Sequence, residues 1–188
     1  MSISINYKVP SKNHSSSNVV FFVDEKYSIS ALKKHLSTNE FSFISDLFKS
    51  KDPKKKILDF DINSKKKIIL ISLKKNLSNS DAENLGAKFF VLFNDIKQNN
   101  FIINSETLSD KSKYFLGYFL HGLRLKSYKF EKYKTKKDKG DIFINTVGKN
   151  IPNNKDQLKF SSIEKGTFYT RDLVSEPGNI LHPDEYAK

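Results

Sequence analysis

The side chains of this sequence that could do chemistry are few and scattered. The four histidines are His14, His35, His121 and His182, and no two stand three or four residues apart, so no HExxH-type metal pair forms. Each reads as an ordinary surface or turn residue. Asp59 and Asp61 lie two apart in an alternating stretch, which points both carboxylates to one side of a strand. A metal or an acid/base pair could use that geometry, but Leu58, Phe60 and Ile62 supply a clean buried face, so the acids read as a solvent-facing pair. The chain has no cysteine, which excludes disulfides, thiolate catalysis and Cys-type zinc sites. Gly148, in Thr146-Val147-Gly148-Lys149, follows an apolar run but stands alone, far short of a GxGxxG or P-loop cradle. Residues 128–137, YKFEKYKTKK, mix bases with aromatics, formally a single-strand nucleic-acid platform; a solvated connection with aromatic anchors is the preferred reading. On residue chemistry alone the chain holds no active site.

The elements that must position these residues follow from periodicity. Ile3, Ile5, Tyr7 and Val9 alternate with polar residues, the pattern of a half-buried strand, and a polar loop spans 11–18. Residues 19–23, VVFFV, form a continuous β-branched and aromatic run, so a strand covered on both faces is expected. Ser28 caps a helix carrying Ile29, Leu32 and Leu36, and a second helical stretch spans 41–48. Residues 58–62 and 68–73 read as a hairpin joined through 63–67. Ser80 with Glu83 forms a capping box before Leu85, Phe89, Leu92, Phe93 and Ile96 at helical spacing. Residues 101–103 form a strand, and Asp110 opens a helix that turns Phe115, Leu116, Phe119, Leu120 and Leu123 inward. Gly117 and Gly122 inside that helix permit close packing, since each costs about 1 kcal/mol against alanine. A charged connection, 126–140, precedes a strand at 141–147. Ser161 with Glu164 starts the last helix, which ends near Ser175. The sum is an α/β fold, a mixed sheet with helices on both faces. The polar segment 148–159 divides a domain at 1–150 from a final segment at 151–188.

Bulk properties narrow the function classes. Sixteen phenylalanines and 37% hydrophobic residues describe a globular protein able to bury a core. No apolar run approaches the roughly 18 residues that span a bilayer, so no membrane partner is expected. The start alternates rather than forming a signal peptide, and the cytoplasm is the expected compartment. The formal net charge of +12 invites a nucleic-acid reading. Against it, Arg124 and Arg171 are the only arginines among 33 basic residues, and planar guanidinium groups carry most specific phosphate and base contacts.

The tail is informative. Glu176-Pro177-Gly178 stops one helix, and Pro183-Asp184-Glu185 carries a helix-start signal. A new element so close to Lys188 reads as the front part of a longer protein. Residues 167–183, TFYTRDLVSEPGNILHP, closely resemble the (T/A)RDLVNxPxNxLxP signature of the leucyl aminopeptidase (cytosol aminopeptidase) family, in the RDLVSEP form of its bacterial variants. Residues 115–137, FLGYFLHGLRLKSYKFEKYKTKK, are similar to the family's GxxLxxYxFxxYKT segment. Across residues 1–104 the likeness rests mainly on the order of elements, and Ile71-Ser72-Leu73-Lys74 departs from the family's VGLGK-like turn.

The resemblance implies a macro-domain-like amino-terminal α/β domain, a linker helix, and a carboxy-terminal catalytic lobe absent from these residues. It implies two divalent metals, Mn or Zn, in that lobe, held in part by an NTDAEGRL motif, and a hexameric full-length parent. Asp81-Ala82-Glu83-Asn84-Leu85 shares letters with that motif but opens an amphipathic helix without its flanks, so no metal or cofactor site is assigned here. Arg171, Asp172, Glu176, Pro177, Asn179 and Pro183 match the junction motif, and they are expected to fix the linker helix and the entry of the lobe. Asp172 and Glu176, four apart, are expected to face a basic neighbour on that lobe. The rival readings are a stand-alone basic module for nucleic acid or an acidic partner, and an ADP-ribose binder weakened by missing glycine-rich loops.

Overall fold

Strand-forming runs and amphipathic helices alternate along the chain, and the structure, a computed structural model, assembles them into one mixed sheet. It describes residues 3–7, 18–52, 54–93, 99–108, 114–135, 141–181 and 184. The strands are β1 (Ile3–Asn6), β2 (Asn18–Asp24), β3 (Ile57–Asn63), β4 (Lys66–Leu73), β5 (Asn100–Asn104) and β6 (Ile142–Val147). The helices are α1 (Thr38–Phe48), α2 (Asn79–Phe93), α3 (Phe115–Ser127) and α4 (Asn154–Ser175). The sheet order is β1-β6-β5-β2-β4-β3. All neighbours run parallel except β3 and β4, the antiparallel hairpin.

The continuous apolar run of β2 is covered on both sides, as its composition requires. Val20 and Phe22 enter one core with Ile69 and Ile71 of β4, Phe89 of α2 and Phe119 of α3. Val19, Phe21 and Val23 enter a second core with Leu32, Ile44 of α1, Leu58 and Phe60. Helices therefore pack on both faces. The first core is built on stacked rings: Phe22 meets Phe115 and Phe119 edge-on, with centroids 5.1 and 5.7 Å apart. Close approach of α2 and α3 needs two glycines. A Cβ on Gly122 would lie 2.0 Å from the Glu83 carbonyl oxygen, and one on Gly86 would lie 1.9 Å from that of Phe119.

Several boundaries differ from the sequence reading. β1 ends at Asn6, short of Tyr7, and Val9 with most of the 11–18 loop lies outside the described residues. Ile29–Lys34 is a 3-10 helix, and Ser28 makes no side-chain cap, because the Asp24 carboxylate takes the Lys26 and Ser28 amides and tightens the turn. α1 starts earlier than expected, on a capping box of Ser37 and Glu40. α2 is capped by Ser78 and Asp81 rather than Ser80 and Glu83. Leu77, just before that cap, packs on the core and sets the entry of the chain. Leu92 is exposed on α2 rather than buried. Asp110, expected to open α3, and Ile96 lie outside the described residues. The largest correction concerns α4. It starts at Asn154, capped by Asn153 on the Asp156 amide, so Ser161 and Glu164 lie within it and half of the 148–159 spacer is helical.

Candidate functional site at the α3–α4 joint

α4 is polar on most of its surface, the composition of a helix that bridges bodies rather than filling a core. Its hold on the domain comes from a stripe at helical spacing: Phe160, Glu164, Phe168, Arg171. Phe160 lies edge-on to Tyr118 and against His121, both at 5.1 Å. Gly117 makes room for it, since a Cβ there would come within 2.6 Å of the Phe160 ring. Phe168 packs on Tyr128, with centroids 5.4 Å apart.

Between the two phenylalanines, Glu164 is only 5% exposed. A buried carboxylate must be fully bonded to be tolerated. Here His121 Nδ1 donates to Oε1 at 3.0 Å and Arg124 Nη1 donates to Oε2 at 2.9 Å. Because an ionised carboxylate only accepts, the His121 proton sits on Nδ1. Arg124 also donates through Nη2 to the Ile3 carbonyl at 3.3 Å. One carboxylate thus ties α4 to α3 and, through the guanidinium, to β1. Tyr7 lies beside it, and burial together with the Glu164 charge pushes its hydroxyl above the ordinary tyrosine range. His121, expected at the surface, is a buried structural residue.

The second half of the joint gathers the junction motif. Arg171 donates to the Leu125 carbonyl at 2.7 Å, satisfying an orphan carbonyl in the last turn of α3, and its guanidinium lies 5.4 Å from the Tyr128 ring centroid. Tyr128 donates to Asp172 Oδ1 at 2.7 Å. Glu176 accepts from Lys132 Nζ at 2.5 Å and from the Tyr133 hydroxyl. Those two bonds, that of Lys132 first, hold the Glu176 carboxyl below the usual glutamate range, and the Glu176 bond holds Lys132 and Tyr133 above theirs. The two stretches singled out in the sequence, some forty residues apart, are therefore one contact. This corrects the expectation that Asp172 and Glu176 face a basic neighbour elsewhere: their partners Tyr128, Lys132 and Tyr133 are in this chain. Pro177 accepts from the Ile180 and Leu181 amides in the turn after α4, Asn179 is exposed in that turn, and His182 and Pro183 lie outside the described residues.

The remaining candidates do not converge. Asp61 and Asp59 bind Lys67 at 2.6 and 3.4 Å, as a solvent-facing pair would. His35 sits 3.8 Å from Glu106 and against Phe21, and His14 lies outside the described residues. Gly148 has a φ of +108°, and a Cβ there would meet Ser105 Oγ at 2.5 Å and the Glu106 amide at 2.8 Å. That turn is filled by protein rather than open to a phosphate. Among the described residues no group of three or more His, Cys, Asp or Glu side chains could hold a metal ion. No described helix is long and apolar enough to cross a membrane. Both arginines are engaged inside the joint, which removes the guanidinium groups a nucleic-acid reading would draw on.

Glu164 was legible only indirectly. His121 and Arg124 lie three apart on the face of a helix otherwise apolar there, a placement that calls for a buried acid.

No protein-family model matches the chain. It is 37% identical over 73 residues to a probable cytosol aminopeptidase of Nitrobacter winogradskyi, a match covering 36% of this chain and 15% of that protein. Its fold matches a mutant of tomato leucine aminopeptidase with a TM-score of 0.71 at 16% identity, over 98% of this chain and 40% of the other. It matches the bottromycin maturation enzyme BotP in complex with Mn with a TM-score of 0.63 at 10% identity, over 92% of this chain and 35% of that one. The chain therefore spans well under half the length of these relatives. In sequence over about a third of its residues and in fold over nearly all of them, it resembles the amino-terminal domain and linker helix of the leucyl aminopeptidase (cytosol aminopeptidase) family.

Proposed function

We propose that this chain is the non-catalytic amino-terminal part of a leucyl aminopeptidase-like exopeptidase, with a domain at 1–150 and a linker segment at 151–188. The observation that carries this reading is the clamped joint. Three aromatic and ionic anchors of residues 128–133 hold the Arg171–Glu176 stretch, and a buried Glu164 holds the middle of α4. Such a helix leaves the domain at a fixed angle, which is what a scaffold must supply to a second lobe. Hydrolysis belongs to a carboxy-terminal catalytic lobe of the same protein, which carries the divalent metals, Mn or Zn. The assembly acts in the cytoplasm as a homo-oligomer, a hexamer in the parent, and removes amino-terminal residues from peptides. Asp59 and Asp61 are paired with Lys67, and Glu164 with Arg124.

The test is an assay of the purified chain on a chromogenic leucine amide, with Mn and Zn supplied separately. No turnover above the metal blank is expected. Turnover that a chelator abolishes would overturn the reading.

A further inference from the structure

α4 carries more exposed large apolar side chains than any other described element. Leu158, Ile163, Tyr169 and Val174 are 69%, 45%, 66% and 82% exposed. They belong to, or flank, a row at i, i+4 spacing that is exposed throughout: Leu158, Ser162, Gly166, Thr170 and Val174. The middle of that row points away from Phe160, Glu164 and Phe168, which face the domain. Nothing among the described residues accounts for Gly166. A Cβ there would meet nothing within 4 Å, and glycine is a poor helix former.

The face is symmetric about that glycine. Ile163 and Tyr169 stand three residues to either side, Ser162 and Thr170 four, Leu158 and Val174 eight. A two-fold contact has to be self-complementary about its centre. An antiparallel pair of α4 helices crossing at Gly166 meets that condition, with Ser162 across from Thr170 of the second copy and Leu158 across from Val174. The small centre lets the two axes approach to about 8 Å, the close end of helix packing. Thr170 Oγ1 donates to the Gly166 carbonyl at 3.0 Å, so its hydroxyl is satisfied within the helix and can be covered. Charge agrees with this orientation. It sets the half of α4 that carries Lys155 and Lys159 beside Asp172 of the other copy, which keeps its charge because its partner Tyr128 is neutral. An unrelated partner would need an apolar face, but not one symmetric about its own midpoint.

We propose that α4 pairs with α4 of a second copy of this chain, in an antiparallel two-fold contact centred on Gly166. The contact rests on the outer face of this helix and not on the catalytic lobe. From Leu158 to Val174 the row runs about 24 Å, so the pair buries on the order of 600–800 Å² in total, about half of a standard interface. The dimer is correspondingly weak and transient.

Sedimentation equilibrium of the full chain from about 1 µM to 1 mM tests it, and a reversible monomer–dimer equilibrium is expected. Tyr169→Asp and Gly166→Leu, both at exposed positions, should each weaken the dimer about fivefold or more while circular dichroism keeps the native fold. The leucine separates a built contact from a sticky face, because it adds apolar surface and helix propensity yet wedges the crossing apart. The chain has no cysteine, so single introduced ones report the register. Under mild oxidation Gly166→Cys should cross-link at least about tenfold faster than Leu158→Cys, because only residues at the axis bring their Cα atoms within about 7 Å. A monomer over the whole concentration range would overturn the proposal. So would dimerisation that Gly166→Leu strengthens, that Tyr169→Asp leaves unchanged, or that cross-links both cysteines equally, each of which would mark non-specific apolar adhesion.

Discussion

Glu164→Ala isolates the contact on which the joint depends. The carboxylate is 5% exposed and bonded through both oxygens, so its removal strands His121 and Arg124 rather than deleting an isolated pair. Breaking a buried ion pair from one side costs about 3–5 kcal/mol. The guanidinium of Arg124 is one-third exposed, so it recovers part of its solvation. That leaves about 2–3 kcal/mol for the docking of α4. The loss should fall on α4 more than on the sheet, because α4 packs chiefly on α3. Amide hydrogen exchange resolves the two. Protection across Asn154–Ser175 should fall by about 30- to 150-fold, at about 1.4 kcal/mol per decade, while β2 and β4 keep theirs. A double-mutant cycle with Arg124→Ala should return a coupling of at least about 1 kcal/mol. If α4 exchange moves less than about threefold, or if β2 and β4 loosen equally, the joint is not built on this carboxylate.

Two glycines should respond in opposite ways. Gly122→Ala drives a methyl to 2.0 Å from the Glu83 carbonyl, so a loss of about 3 kcal/mol and a fall in Tm of about 6–12 °C are expected by calorimetry. Gly166→Ala in α4 meets nothing within 4 Å and should stabilise the helix by about 0.5–1 kcal/mol, read by the same scan. The Glu176 contact should depend on pH from both ends. A lowered carboxyl contributes above the free glutamate value of about 4.3 and is lost as pH falls through its folded value. A raised Lys132 contributes below about 10.4 and is lost as pH rises through its folded value. Exchange protection of residues 128–135 should therefore hold between these limits; loosening already at neutral pH would count against the contact.

The sheet was readable because its strands declare their burial. The continuous runs in β2 and β4 could only be strands covered on both faces, and the alternation of Leu58 and Phe60 with two aspartates could only be an edge hairpin. Helix starts were harder, since serine-x-x-acid patterns overlap. Ser78–Asp81 and Ser80–Glu83 both fit, and tertiary packing at Leu77 chose the first. At Ser161–Glu164 the same pattern misled, because the acid serves a partner 40 residues away instead of its own helix terminus. Asn153 followed by Asp156 was the true cap, and its longer reach was visible only in the stripe from Phe160 to Arg171. Both motifs of the joint could be found in the sequence. Their meeting could not, because Tyr128 and Asp172 are joined by the path of α4 across α3 and by no local rule.

We propose that the chain supports a catalytic centre without containing one. Calorimetric titration of the purified chain with Mn²⁺ and then with Zn²⁺ tests it most directly. The account predicts heats no larger than dilution or weak, non-saturating surface binding. Tight, saturable uptake of two equivalents would contradict it.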